Sequence, residues 1–188
     1  MIIGVVGQIA CGKGVLKDCL VNQFGFASFS LSSIVHQEAQ KRNIKNITRK
    51  DLQDIGDDLR KKYGRDILAK RALQIIKNSK NSRWVIEGIR NPAEVELLKK
   101  QDDFVLIGIK SKRTLRFKRL LERNKPWDPK NWQDFLKVDR RDLGKGQEKE
   151  GQQVGKCLAY CDYVLTNNKD KEDFQRKVNK LLRKILII

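Results

Sequence analysis

The sequence predicts a doubly wound α/β fold, in which the strands of one parallel sheet alternate with helices. Two observations predict it. Short apolar runs recur along the chain, most clearly at residues 2–6 and 103–109, and continuous apolar runs suit strands that are covered on both faces. Helical patterns with recognisable start signals separate these runs. Because neither an internal repeat nor a linker interrupts the 188 residues, we expect a single domain over 1–188.

The predicted elements follow in chain order. The strands are expected at residues 2–6, 24–30, 84–89, 103–109 and 163–166. Two helix starts are well marked, since Thr48 is followed by Asp51 at the third helical position and Asn91 is followed by Pro92. The other helices are expected after the N-terminal loop and at about 30–42, 64–77, 114–123, 128–144 and 170–188. The polar, glycine-rich stretch 145–155 is predicted to be mobile.

The N-terminal stretch carries the strongest chemical signal. Its first strand ends at Gly7, and Gly12 and Lys13 follow with the spacing G-x-x-x-x-G-K of a phosphate-binding loop, although Gly14 replaces the usual Ser or Thr. Backbone N–H groups and a helix N-terminus favour an anion there, and Lys13 adds a point charge. The alternative, an ordinary tight turn, is disfavoured because strand, glycines, lysine and helix are all in register.

Composition narrows the possible partners. The formal net charge of +18 suits either nucleic-acid binding or an enzyme that holds several phosphates behind a lysine-rich surface. The lysines are spread along the whole chain, so we interpret most of the charge as solvated surface and do not favour nucleic acid. Four scattered cysteines suit a reducing cytoplasm and disfavour a zinc site. No apolar stretch is long enough to predict a membrane span. We expect a monomer or a weak dimer.

Charged residues follow the third predicted strand in the segment Glu87-Gly88-Ile89-Arg90. In such a fold this strand end lies beside the phosphate-binding loop. Glu87 could hold magnesium through water, and the forked guanidinium of Arg90 could hold the phosphate of an acceptor. The alternatives are an ordinary acid at a strand end and a salt bridge at the entry of a helix, and we favour the functional interpretation for both residues.

Arginines are concentrated after the fourth predicted strand. Arg113, Arg116, Arg119 and Arg123 fall on about a third of one helix, and Arg140 and Arg141 lie on the next helix. A solvated basic face explains any single one of them. As a group beside a flexible insert they suit a lid that closes on a transferring phosphoryl group. We expect the aromatic residues of this insert to pack the lid rather than to stack on a base: Trp127, Trp132 and Phe135.

Five segments together resemble the small P-loop kinases of the adenylate kinase-related and dephospho-CoA kinase-like group. They are 7–14, 52–60, 87–94, 116–123 and 161–167, so the resemblance spans nearly the whole chain. Gly-Lys-Gly is the form of the loop that adenylate kinases carry, although they continue with Thr where this chain has Val15. The aspartate that dephospho-CoA kinases place after the second strand is absent, and Ser32 and Ser33 stand there, which disfavours the coenzyme A precursor as acceptor.

The resemblance implies a three-layer α/β/α fold with a five-stranded parallel sheet in the order 2-3-1-4-5, an acceptor-binding region at about 30–62 and a helical lid at about 124–156. It implies ATP and Mg²⁺ as cofactors, with the adenine near Asn167. The implied ATP-binding residues are Gly7, Gln8, Ile9, Ala10, Cys11, Gly12, Lys13, Gly14, Val15, Arg116 and Asn167. The implied acceptor-binding residues are His36, Arg60 and Arg90, the catalytic cations are Lys13, Arg119, Arg123, Arg140 and Arg141, and Glu87 holds the metal through water.

Three functions follow as hypotheses. The favoured one is an ATP- and magnesium-dependent nucleotide kinase that phosphorylates a nucleoside monophosphate or a similar small nucleotide. The second keeps the fold but phosphorylates a hydroxyl group, as dephospho-CoA kinase does; this chemistry requires a carboxylate base that the sequence does not place. The third is a basic nucleotide- or RNA-binding ATPase without kinase activity, which rests on the net charge alone.

Overall fold

A computed structural model describes residues 1–186 as a parallel sheet enclosed by helices. The strands are β1 (Ile2–Val6), β2 (Ala27–Ser30), β3 (Trp84–Glu87), β4 (Phe104–Lys110) and β5 (Tyr163–Thr166). All pairings are parallel and the order is β2-β3-β1-β4-β5, which confirms the predicted fold class and strand order. The register places Val5 beside Glu87 and Val6 beside Gly108, so the loop after β1 and the end of β3 share one edge of the sheet.

Helices cover both faces of this sheet. They are α1 (Lys13–Phe24), α2 (Leu31–Lys41), α3 (Arg49–Tyr63), α4 (Ile67–Lys77), α5 (Pro92–Leu98), α6 (Arg113–Arg123), α7 (Trp132–Leu143), α8 (Val154–Cys157) and α9 (Lys171–Ile185), and a 3₁₀ turn follows α8. Within residues 1–186, no helix combines the length and the apolar character needed to cross a membrane.

The alternation of side chains along β1 explains the three layers. Ile3 and Val5 are fully buried on one face, in a cluster with residues of α1 and α9. Ile2 and Val6 point to the opposite face and join a larger cluster with residues of α2, α3, α4 and α5. Because successive strand residues point to opposite faces, a continuous apolar strand requires a helical layer on each side.

Both marked helix starts are confirmed. The Thr48 hydroxyl accepts the Asp51 backbone N–H at 3.2 Å, and the Asp51 carboxylate accepts the Thr48 N–H at 2.8 Å, which is a complete capping box. Asn91 forms the equivalent box with Glu94, and Pro92 is the first residue of α5. In this second box the carboxylate of Glu94 is fully buried, so the cap also introduces a charge beneath the helix.

Some predicted boundaries were wrong for identifiable reasons. The helix expected from Asp128 begins only at Trp132 with Asn131 as its cap, because the Asp128 carboxylate is bound by arginines instead. Gly64 ends α3 at a φ of 100° rather than starting α4. Helix α1 runs on to Phe24, so β2 starts at Ala27. Residues 187 and 188 of the predicted last helix lie outside the described residues.

The stretch that the sequence predicts to be mobile is partly anchored. Its second half is buried, since Gln152 and Gln153 are each 4% exposed. The Asn91 side chain donates to the carbonyls of Lys149 and Gly151, at 2.8 and 3.0 Å, and the Gln153 N–H donates to the Arg90 carbonyl at 2.7 Å. Polar composition favoured mobility, but long-range hydrogen bonds to the start of α5 hold this segment against the sheet edge.

Candidate active site

The loop between β1 and α1 has a backbone that requires glycine at two positions. Gly12 caps α1 with a φ of 108°, and a Cβ there would lie 2.3 Å from the Asn167 side-chain nitrogen. A Cβ on Gly7 would lie 2.5 Å from the Ile109 carbonyl oxygen. The loop therefore fits closely between the C-terminal end of β4 and the segment after β5, as a phosphate-binding loop at a helix N-terminus does.

Lys13 is folded over this loop. Its Nζ donates to the carbonyl oxygens of Gly7 at 2.6 Å and of Gln8 at 3.0 Å. Two neutral carbonyls are weaker partners for an ammonium group than an anionic phosphate oxygen. These contacts thus keep the Lys13 ammonium group beside the loop, where it can bind a phosphate oxygen instead.

Gly14 differs from the two glycines before it. It lies in the first turn of α1, and a Cβ there would meet no atom within 4 Å. The backbone of Gly14 therefore has room for a Cβ, and the fold does not require glycine at this position.

We predict that Gly14→Ala stabilises the fold and that Gly12→Ala destabilises it. Where alanine can adopt the backbone conformation of a glycine, the replacement typically stabilises the fold by about 0.4–1 kcal/mol. Where the backbone is left-handed and the new Cβ is in close contact, the replacement costs roughly 1–3 kcal/mol of stability. Thermal unfolding of the two variants measures both effects. Equal shifts of Tm in the same direction would contradict the conclusion that Gly12 is sterically constrained and Gly14 is not.

The loop faces a cleft of about 470 Å³ at the carboxyl edge of the sheet. Two carboxylates line it, those of Asp18 and Glu87. Cations outnumber them; they are Lys13, Lys17, Arg49, Arg90, Arg119, Arg123, Lys125 and Lys171. A cleft with this excess of positive charge at the end of a parallel sheet is suited to bind a multiply charged anion.

Arg49 is a site residue that the sequence reasoning missed. It is the first residue of α3, and its guanidinium donates to Asp128 at 2.6 Å. Arg123 donates to both oxygens of the same carboxylate, at 2.7 and 3.0 Å. The sequence showed Arg49 only as part of the capping segment, and nothing local indicated that α3 would deliver it to the lid. The two arginines, one from the acceptor region and one from the helix that leads into the lid, hold a single anion between them.

Electrostatics at this pair favour an anion strongly. Burial alone would raise the pKa of Asp128, but the hydrogen bonds from Arg123 and Arg49 outweigh it and hold the pKa below its ordinary value. Burial and the nearby charge of Arg90 lower the pKa of Arg49. Because Arg49 lies among like charges, binding a further anion there is favourable.

Arg90 lies where the sequence placed it, at the edge of the cleft. Its guanidinium contacts the carboxylate of Asp142, which also accepts the Ile9 backbone N–H at 3.1 Å. An acid of the lid helix therefore bridges the loop and the predicted acceptor arginine. Asp142 was not predicted, because no sequence pattern distinguishes it from Asp134, the exposed acid of the same helix.

Arg116 is almost completely buried, with 2% of its surface exposed. Its Nη2 donates to Asp139 at 3.0 Å, and its Nη1 donates to the Ile9 carbonyl at 3.3 Å. Asp139 also accepts from the Gln8 side chain at 2.8 Å. In the described conformation Arg116 joins the loop to the lid, and direct contact with ATP stays a prediction.

Arg119 contacts Asn167, and Asn167 contacts the loop between β1 and α1. Arg119 donates to the backbone and side-chain oxygens of Asn167 at 3.2 and 3.1 Å, and the Asn167 amide donates to the Cys11 carbonyl at 2.9 Å. Arg119 also lines the cleft. The structure thus brings together Arg119, a predicted catalytic cation on α6, and Asn167, which follows β5 and which the resemblance placed near the adenine.

The remaining predicted cations lie farther from the cleft. The Arg60 side chain is 1% exposed and donates to Glu94 at 2.9 Å and Asp57 at 3.2 Å. Arg141 pairs with Asp54 and Asp57 at 2.6 and 2.8 Å. Arg140 is exposed and lines neither cleft nor cavity among residues 1–186. Their binding roles stay predictions; in this conformation the charges of Arg60 and Arg141 are bound to carboxylates.

His36 packs against Trp127, with ring centroids 4.7 Å apart. Burial lowers its pKa, and the positive charges of Arg49 and Lys125 lower it further. The imidazole is therefore mostly neutral at neutral pH. The residue borders the predicted acceptor region without supplying charge to it.

Glu87 suits the metal role that the sequence gave it. Its carboxylate lines the cleft across from the loop, at the end of β3 beside Ser30 of β2. Within residues 1–186, no group of three or more His, Cys, Asp or Glu side chains could hold a metal ion by itself. A single carboxylate fits magnesium that keeps most of its water and takes its other ligands from nucleotide oxygens.

The sheet order and the loop between β1 and α1 give the chain the three-layer fold of the P-loop kinases. The shikimate kinase of Acinetobacter baumannii, solved with shikimate, is similar over 98% of this chain and 92% of its own, with a TM-score of 0.60 and 15% identity. A dephospho-CoA kinase of Campylobacter jejuni is similar over 98% and 96%, with a TM-score of 0.54 and 19% identity. At these identities the likeness concerns the fold.

The chain belongs to the UPF0200 family. It is 32% identical over 191 residues to a UPF0200 protein of Pyrococcus horikoshii, covering 99% of this chain and 98% of that relative. A UPF0200 protein of Methanothermobacter thermautotrophicus is 30% identical over 186 residues, covering 98% and 90%. No family model matches the chain. These two relatives therefore match nearly the whole length of this chain.

Proposed function

We propose that this protein is an ATP-dependent phosphotransferase whose acceptor carries a phosphate group, such as a nucleoside monophosphate. The observation that carries the proposal is the convergence of Lys13, Arg49, Arg90 and Arg123 on one cleft beside the loop. A single triphosphate needs the loop and Lys13. The additional arginines, contributed by α3, the segment after β3 and α6, suit a second anion that faces the first.

The residues divide the work by position. The loop amides and Lys13 hold the phosphates of ATP, with Arg119 on the adjacent wall. Arg49, Arg90 and Arg123 hold and orient the acceptor phosphate, which is already anionic and needs no general base. Magnesium, when bound near Glu87, neutralises charge on the transferred group. The lid contacts at Ile9 exclude water from the end of the loop.

Hydroxyl phosphorylation is the second candidate, because both named fold neighbours are kinases of non-nucleotide acceptors or coenzyme precursors. The polar groups at the end of β2 are hydroxyls, with Ser30 and Ser32 2.8 Å apart, rather than a carboxylate. Glu87 is the nearest acid along this sheet edge in the cleft lining. The arginines favour the anionic acceptor over this alternative.

A substrate panel tests the proposal. The protein is incubated with ATP and magnesium and, separately, with each of the common nucleoside monophosphates, dephospho-CoA and shikimate, and ADP formation is measured. We expect acceptor-dependent ADP formation with one or more nucleoside monophosphates. Turnover with a hydroxyl acceptor alone would replace the proposal, and ADP formation that no acceptor stimulates would favour a simple ATPase.

Arg90→Ala should weaken the binding of the acceptor more than the binding of ATP. Loss of charge-assisted hydrogen bonds to a phosphate is expected to raise the KM of the acceptor roughly 10- to 100-fold, while the KM of ATP changes less than about threefold. Steady-state kinetics with each substrate varied in turn measures the split.

The matched control is Arg113→Ala, since Arg113 pairs with a lid acid, Asp139, at 3.0 Å but does not line the cleft. We expect both KM values of this variant to stay near those of the wild type. An equal loss of both affinities in Arg90→Ala would remove Arg90 from the acceptor site.

A further inference from the structure

A second cavity, of about 520 Å³, lies between the start of α3 and the lid. Its size falls in the range of small-molecule sites. Its apolar lining consists of Ile47, Pro126, Trp127, Pro129 and Val138. Four cations also line it, Arg49, Lys50, Lys137 and Arg141, together with two acids, Asp128 and Asp134. The cavity therefore offers an apolar interior with a charged margin in which cations outnumber acids.

The pocket that the predicted acceptor residues share is much smaller. His36 and Arg60 line a space of about 30 Å³, enough for about one water molecule. Gln152 also lines it and accepts a hydrogen bond from Gln53 at 3.1 Å, which holds the last part of the lid against α3. The body of a nucleotide acceptor has no room there in the described conformation.

Arg49 connects the larger cavity to the cleft. It lines both, and Asp128, which it binds together with Arg123, also lines the cavity. The Nε groups of Arg49 and Arg141 are buried and lack a hydrogen-bond partner within residues 1–186. Unpaired buried donors are uncommon in folded proteins. The carboxylates around these two arginines therefore leave part of each guanidinium group without a hydrogen bond in the described conformation.

We propose that this cavity binds the planar, apolar part of the phosphoryl acceptor, an aromatic or heterocyclic ring, while the acceptor phosphate replaces the Asp128 carboxylate at Arg49 and Arg123. The proposal rests on the proposed function for the role of the ligand. A phosphate carries more charge than the carboxylate and presents more oxygens to two guanidinium groups, so the exchange is favourable.

Trp127 provides the aromatic wall for such a ring. It is half-buried and lines the cavity, and Lys125 lies 5.4 Å from its ring centroid. Trp132 is a natural control, since it belongs to the same lid but packs on Phe117 and Phe135 at 5.1 and 5.4 Å and does not line the cavity. The chain thus supplies a matched pair of tryptophans.

The test compares Trp127→Ala and Trp132→Ala by calorimetric titration without ATP. The probes are adenosine, guanosine, cytidine and uridine 5′-monophosphates, with ribose 5-phosphate as the probe that lacks a ring base. We expect Trp127→Ala to lower the affinity for the best-binding monophosphate roughly 5- to 100-fold, which is the usual effect of losing base stacking. The affinity for ribose 5-phosphate should stay unchanged. Trp132→Ala should leave both affinities unchanged.

Val138→Phe serves as a second variant that narrows the cavity without removing Trp127, and thermal unfolding shows whether each variant is folded. Val138→Phe should lower the affinity for the same monophosphate and leave the affinity for ribose 5-phosphate unchanged. The proposal is overturned if folded Trp127→Ala and Val138→Phe bind the monophosphate as the wild type does, or lose ribose 5-phosphate equally. Because binding is measured without turnover, ring-dependent binding with no phosphoryl transfer would overturn the proposed function alone.

Discussion

Lys13→Ala is expected to lower the rate of phosphoryl transfer by at least roughly 10²- to 10³-fold, the usual effect of removing one group that stabilises charge in a transition state. Lys13 is the cation of the loop itself, and its Nζ lies 2.6 and 3.0 Å from two loop carbonyls. Because these are contacts of a half-buried side chain at the cleft, their loss should leave the fold intact. ADP formation with the best acceptor and thermal unfolding measure the two effects.

Lys17→Ala is the matched control for this variant. Lys17 also lines the cleft but is one turn along α1, where it pairs with Asp18 at 3.3 Å near the surface. We expect the rate of Lys17→Ala to stay within about threefold of that of the wild type, because the Lys17 charge is paired with Asp18 and screened by solvent, whereas Lys13 lies in the loop itself. Turnover of Lys13→Ala close to that of the wild type would contradict the assignment of the loop to ATP.

The sequence was sufficient for the features that depend on local pattern. The five strands, the capping box at Thr48 and the helix start at Asn91 are confirmed. Apolar strands, glycines in the loop and cap residues act through neighbours in the chain or through the alternation of side chains, so their pattern is visible in one dimension. The strand order came from the resemblance to P-loop kinases and not from pattern alone.

The positions of the arginine side chains could not be predicted from the sequence. Arg60 was predicted at the acceptor from its place in a segment that resembles the family, yet its charge is bound by Glu94, 34 residues farther along the chain. Arg49 was interpreted only as part of a cap, yet it lies in the cleft. A guanidinium at the end of a long side chain is placed by its ionic partners, and those partners, Asp128 and Asp142 included, come together only in the fold.

Glu94→Ala is the second variant with a large expected effect. The Glu94 carboxylate is fully buried and accepts the Arg60 Nε at 2.9 Å and the backbone N–H groups of Arg90 at 2.8 Å and Asn91 at 3.0 Å. Removing one partner of a buried ion pair typically costs about 3–5 kcal/mol, because the other charge stays buried. We expect a fall in Tm of about 6–20 °C, measured by thermal unfolding.

Glu96→Ala on the same helix is the control. Glu96 is exposed, and its contact is an exposed hydrogen bond from the Tyr160 hydroxyl at 3.0 Å, so its loss should cost less than about 1 kcal/mol. A small shift in both variants would show that Arg60 keeps its charge satisfied through Asp57 alone. A large shift in Glu94→Ala alone would show that the buried carboxylate stabilises the fold through Arg60 and through the backbone N–H groups of Arg90 and Asn91, so that the core and the segment after β3 depend on the same residue.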